Sequence, residues 1–195
     1  MRRAALPRFQ SPRAGRVARP AGALYDACMA MQETITLGPA RDDELPTVVE
    51  LTLAVERQHE AYWPLRWQLR PNREAGWLGW LRRHVADPDM LIVVARDETA
   101  QGGARVVGAL LADIEDEMPI YTYSRYAFIH DVAVREAYRG RGIGTRLLRE
   151  AVAWARQRGV DQIRLMAAEQ NEGARKLFAR AGFRETYREM VMPTA

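Results

Sequence analysis

The stretch from Phe128 to Leu148, FIHDVAVREAYRGRGIGTRLL, constrains the fold more than any other part of this 195-residue chain. From Ile129 to Val134 the residues are mostly β-branched or apolar, the pattern of a strand covered on both faces. Gly140, Gly142 and Gly144 then alternate through a turn, which lets backbone amides approach a ligand without interference from a Cβ. Ile143, Leu147, Leu148, Ala151 and Val152 recur at helical spacing, so the glycines fall at the first turn of a helix. The unpaired N–H groups and positive dipole end of such a turn suit a phosphate. Arg139 and Arg141 add charge beside it.

Two other phosphate loops fit less well. A P-loop needs a lysine directly after its glycines, and the sole lysine is Lys176. A dinucleotide fingerprint needs G-x-G-x-x-G/A and an acidic residue after the next strand; here Leu147 follows Gly142-x-Gly144, and Asp161 precedes that strand. A glycine turn that merely caps a helix remains the bland reading of the loop alone. Arg139-x-x-Gly142-x-Gly144 after Ile-x-Asp-Val-x-Val closely resembles the coenzyme A signature of the GCN5-related N-acetyltransferase (GNAT) superfamily. Asn171-x-x-Ala174-x-x-Leu177-Phe178, followed by Ala181-Gly182-Phe183, is similar to that family's second cofactor segment, in the usual order and separation.

The length fits one domain. No apolar run reaches membrane-spanning length, and the expected location is the cytoplasm. Cys28 is the only cysteine, which excludes an internal disulfide framework. His59, His84 and His130 are scattered, and no metal site is expected. The net charge of +4 is unevenly placed: six arginines against Asp26 give residues 1–30 a charge of +5, which leaves −1 for the rest. Residues 1–30 are rich in Arg, Pro and Ala without apolar periodicity, so they read as a disordered tail ahead of a domain over residues 31–195. A start at Met29 or Met31 accounts for the tail most simply; a nucleic-acid-binding arm and a transit peptide are the alternatives.

Glu33–Leu37 reads as a first strand. Asp42 or Asp43 can cap a helix reaching about Gln58, with Pro46 in its first turn. A Trp- and Pro-rich connection spans Tyr62–Pro71, and Asn72 caps a second helix with Trp77, Leu78, Trp80, Leu81 and Val85 as its apolar stripe. Met90–Ala95 and Val106–Ile114 read as strands joined by a loop containing Gly102-Gly103. After a polar, aromatic loop, Tyr126–Val134 is a strand, followed by the glycine-led helix. Gln162–Met166 is a strand, Glu172–Ala181 a helix closed by Gly182, and Phe183–Met192 a last strand.

This order matches the superfamily. The resemblance implies an α/β fold with a mixed central sheet whose strands Tyr126–Val134 and Gln162–Met166 splay apart, flanked by helices. It implies acetyl-CoA as co-substrate, its pantetheine along Val132, Ala133 and Val134 and its pyrophosphate at the helix start. The cofactor-binding set carried over is Val132, Ala133, Val134, Arg139, Gly140, Arg141, Gly142, Ile143, Gly144, Thr145, Asn171 and Phe178. Asn171 as a simple helix cap would look the same.

Acetyl transfer to an amine needs positioning, an N–H for the oxyanion and a base near neutrality. His130 is the first candidate base, since some arylalkylamine acetyltransferases of the superfamily carry a histidine there; a buried structural histidine is the alternative. Asp131 is the second, as in aminoglycoside members, provided a bulge turns it into the cleft; a loop-bonded carboxylate is its alternative. Phe128 stands where histone-type members carry a glutamate base, and Phe178 where many members carry a tyrosine acid. Tyr121, Tyr123 and Tyr126 are possible substitutes for that acid.

The acceptor pocket is expected from His59, Glu60, Tyr62, Trp63 and Trp67 together with Glu115, Asp116, Glu117, Tyr121 and Tyr123. Its acidic residues suit a cationic small-molecule or peptide amine, and equally a solvated loop. The implied function is N-acetyl transfer from acetyl-CoA to a primary amine; the alternative is a non-catalytic acyl-CoA-binding or regulatory domain, motivated by Phe178. A homodimer is a family-level expectation, and neither membrane nor nucleic acid is an expected partner of the domain.

Overall fold

A computed structural model describes residues 34–101 and 105–194. The tail of residues 1–30, Glu33 and the Gly102-Gly103 pair lie outside the described residues. Five strands form one mixed sheet in chain order: β1 (Ile35–Pro39), β2 (Met90–Asp97), β3 (Arg105–Asp116), β4 (Arg125–Val134) and β5 (Ile163–Leu165). Neighbours from β1 to β4 are antiparallel, and β5 runs parallel to β4. The helices are α1 (Leu45–Tyr62), α2 (Pro64–Trp67), α3 (Arg73–His84), α4 (Ile143–Gln157) and α5 (Glu172–Arg180). Among the described residues no helix is long and apolar enough to cross a membrane.

Side chains alternate across a strand, so the sheet needs cover on both faces. One face carries α1 and α3: Leu45, Val48, Leu53 and Leu81 pack on Ile92, Val94, Ala109, Leu111 and Ala133. The other carries α4: Ile143, Leu147, Leu148 and Ala151 pack on Val93, Val107, Leu110 and Ile129, with Leu177 and Phe178 of α5 at the margin. The Trp77/Trp80 pair stacks at 4.9 Å, and the Trp77 indole donates to buried Thr52 at 2.9 Å, so it is core.

Several boundaries differ from the sequence expectation for local reasons. Neither Asp42 nor Asp43 caps α1; Asp42–Glu44 forms a 3₁₀ turn, and the Glu44 carboxylate accepts the Arg41 N–H at 2.8 Å. α1 continues past Gln58 to Tyr62, and Pro64 opens α2 within the stretch read as a connection. Asn72 precedes α3 but does not cap it, because its backbone is left-handed (φ 57°) and its side chain makes no capping bond. The expected last strand, Phe183–Met192, does not form. Tyr187, Met190 and Met192 are exposed, so the segment buries no apolar face against the sheet, and Glu185 and Glu189 pair instead with Arg175 and Arg66.

Two irregularities of β4 shape the site. β4 pairs with β5 only over Ala127–Ile129, after which the strands part while β4 runs on to Val134. Against β3, Ala112 faces Ile129 while Leu111 faces Asp131, so His130 is an extra, bulged residue. The bulge changes which side chains face which helix. Ile129 belongs to the α4 layer, yet Ala133, four positions on, belongs to the α1/α3 layer.

Candidate functional site

Beyond Ile129 the edge of β4 is open. The Arg135 N–H donates to the Val107 carbonyl of β3 at 2.8 Å, and Arg139 Nε reaches the Val134 carbonyl from the other side at 3.2 Å. By alternation, Val132 and Val134 turn their N–H and C=O groups away from β3, and Ala133 turns its own toward it. The chain then makes a 3₁₀ turn, Glu136–Tyr138, and enters the glycine loop.

Gly140 and Gly142 are both left-handed, with φ of 76° and 78°. Gly142 is the N-cap of α4, and the first helical bond runs from the Arg146 N–H to its carbonyl at 3.0 Å. The N–H groups of Ile143, Gly144 and Thr145 therefore have no intrahelical acceptor and point out of the helix end. Gly144 has a different reason to lack a side chain: a Cβ there would lie 3.0 Å from Leu177 Cδ2, so the Leu177 side chain of α5 would have to shift. The Arg141 guanidinium lies 4.9 Å over the Tyr138 ring, whose hydroxyl donates to Asp97 at 2.8 Å. Asp97 also accepts from the Thr99 N–H and hydroxyl; these bonds hold its carboxyl below the usual range and fix the platform under Arg141. Asn171 acts as a helix cap, accepting the Ala174 N–H at 3.1 Å. Phe178 is half-buried, edge-on to Phe183 at 5.9 Å.

On the α1 side of the sheet the bulge brings His130 and Asp131 to one face. His130 Nε2 lies 2.9 Å from Asp113 Oδ1, and its ring meets Phe128 edge-on at 5.1 Å. Glu115 stands beside them and accepts the Tyr126 hydroxyl. The ligand atoms of Asp113, Glu115 and His130 fall within 4.8 Å of one another, and Asp113 Oδ1 is buried with no hydrogen-bond partner. Asp131 is 7% exposed and its Oδ1 has no hydrogen-bond partner. Burial, and then the charge of Glu56, push its carboxyl up to about 7, against the opposing influence of His59. His59 Nδ1 is also buried without a hydrogen-bond partner, 3.8 Å from Glu56, and its ring lies 5.2 Å from that of Trp67.

A carboxyl whose folded pKa is raised adds stability fully below its unfolded pKa, and that contribution is lost as pH rises through about 7. Asp131→Asn is therefore expected to melt above wild type in alkaline buffer, by up to roughly 4 kcal/mol of stability. The two should converge in acid, and parallel melting curves across pH check it.

Other acceptor-side candidates are committed to structure. Glu60 accepts the Leu69 N–H at 3.0 Å, Glu117 pairs with Arg164, and Asp116 lies 3.9 Å from Arg125. Tyr121 and Tyr123 are exposed. Sequence reasoning missed Asp113, Glu56 and Asp97. Period-two spacing to Glu115 on β3 and i, i+3 spacing to His59 on α1 would have found the first two. Nothing local marks Asp97.

The model of the acetyltransferase (GNAT) family matches residues 52–183. An N-acetyltransferase of Methanocaldococcus jannaschii, itself described as uncharacterized, is 27% identical over 154 residues, covering 78% of this chain and 62% of that one. The chain thus spans less than two thirds of that relative's length. Among solved structures, an aminoglycoside 6'-N-acetyltransferase of Acinetobacter baumannii superposes with a TM-score of 0.62 at 23% identity, covering 83% of this chain and 98% of that one. A predicted acetyltransferase of Clostridium acetobutylicum, solved with acetyl-CoA, gives 0.60 at 17% identity, covering 82% and 96%. The structural likenesses speak to the fold; the family match, over more than half of the residues, means that the chain belongs to the acetyltransferase (GNAT) family.

Proposed function

We propose that the domain of residues 31–195 transfers an acetyl group from acetyl-CoA directly to a primary amine of a small molecule or peptide. The observation that carries this reading is the open edge of β4 leading into a helix start with free amides and two left-handed glycines. An extended pantetheine can pair with Val132 and Val134 as a further strand would, and a pyrophosphate fits the N–H groups of Ile143, Gly144 and Thr145. Arg139 and Arg141 flank that helix start. Acetyl-CoA supplies an activated thioester, so the protein's tasks are to orient it, exclude water and move protons. A backbone N–H of the bulged segment near Val132 would stabilise the oxyanion. His130 and Asp131 are the candidate bases, and both face the acceptor side under α1. The carboxylates nearest these two groups, Glu56 beside Asp131 and Asp113 with Glu115 beside His130, suit a cationic amine.

Incubation with acetyl-CoA and a panel of alkyl, polycationic and peptide amines is expected to release free thiol and N-acetylated product in equal amounts. Binding of acetyl-CoA without turnover across the panel would favour a regulatory acyl-CoA-binding domain, the reading that Phe178 motivates. Neither binding nor turnover would overturn both.

A further inference from the structure

Converting an ammonium into an amide removes two N–H protons. One leaves before the nitrogen can attack. The other leaves once the new bond to the carbonyl carbon has made that nitrogen cationic. The departing sulfur takes up one proton, and one is released to solvent. Two protons must therefore leave the reacting nitrogen in turn, and the bulge of β4 supplies two side chains that can accept them.

In a regular strand consecutive side chains face opposite ways, so His130 and Asp131 could not serve the same ligand. The extra residue in β4 turns both to the α1 face. Their surroundings differ. Asp131 is buried, with an unpartnered Oδ1, and faces Glu56 and His59 of α1. It offers charge to an incoming cation and has no protein donor to release first. His130 is 32% exposed, faces Asp113 and Glu115 of β3, and stands where β4 leaves β5, at the mouth through which a thioester would arrive. An imidazole nitrogen can accept a proton and hand it on.

Resting on the acetyl-transfer reading, we propose that Asp131 and His130 divide the two protons. Asp131 accepts the one that frees the amine lone pair, and His130 accepts the second and returns it to the leaving thiolate. The nitrogen–carbon bond forms, the carbon–sulfur bond breaks, and the thiol leaves protonated. Asp131 gives its proton to solvent before the next turnover. His130 thereby fills the role that Phe178, without a hydroxyl, cannot. The burial that raises the Asp131 carboxyl fits it to take a proton near neutrality.

An acceptor that enters neutral has one proton fewer to lose, so it bypasses Asp131. With a strongly basic alkylamine, Asp131→Asn should lower kcat/KM by about 100-fold, whereas a weakly basic arylamine, neutral at the assay pH, should lose little. His130→Gln should lower both by about 100-fold. In the wild type, kcat/KM for the alkylamine should level off above about pH 7, a plateau that needs no variant to fold. Equal losses of Asp131→Asn with both acceptors, or a wild-type profile that climbs to the amine's own pKa, would overturn the division of protons. Calorimetry with acetyl-CoA separates the two levels: each variant is expected to bind as wild type does, and loss of binding by the wild type itself would instead sink the acetyl-transfer reading.

Discussion

Gly142→Val is expected to weaken acetyl-CoA binding by about 100-fold or more. The residue sits at φ 78°, where a β-branched side chain is strained, and it heads the helix whose free amides would meet the pyrophosphate. Charge-assisted hydrogen bonds contribute about 1.5–3 kcal/mol each, so losing two suffices for that factor. The strain alone costs about 1–2 kcal/mol, so the unliganded protein should still fold. Titration calorimetry on the variant checks the first statement and its melting curve the second. Binding of unchanged affinity would mean that the loop is only a helix cap.

The second large effect lies away from the site. Glu44→Ala is expected to destabilise the fold by about 3–5 kcal/mol, because it leaves a buried guanidinium without its partner. Arg96, 8% exposed, donates to both Glu44 oxygens at 2.6 and 2.7 Å and to the Pro39 carbonyl at 2.7 Å. Arg41 adds an ion pair at 2.8 Å, so the group ties β1 and β2 to the start of α1. Burial alone would raise the Glu44 pKa, but the bonds from Arg96 and the Arg41 N–H, with both arginine charges, lower it overall. A lowered folded pKa adds stability above the unfolded value, and that contribution is lost as pH falls through the folded one. The gap between wild type and variant in urea denaturation should therefore narrow in acid. A gap of less than about 1 kcal/mol at neutral pH would show the cluster to be replaceable by water.

What the sequence disclosed follows the range of the interactions involved. The strand, glycine loop and helix from Ile129 onward are specified by neighbouring residues, and they form as the pattern indicates. The element order then suffices for a mixed sheet opening between β4 and β5. The bulge was foreseeable only as a condition for Asp131 to reach the cleft; its place at His130 is a matter of register against β3 and leaves no mark in β4 alone. The Glu44–Arg96 clamp joins residues 52 positions apart, and Asp97 meets Tyr138 across 41. Neither has a local signal. The last strand shows the opposite error: Phe183–Met192 reads as a strand from the sequence, but its Tyr187, Met190 and Met192 stay exposed and no strand forms there.

The opening beside β4 is proposed as an acetyl-CoA site. Titration calorimetry of the wild type with acetyl-CoA tests it most directly. Saturable binding at one site per chain, with a raised melting temperature, is the predicted result. The absence of both heat and a melting shift at millimolar acetyl-CoA would contradict it.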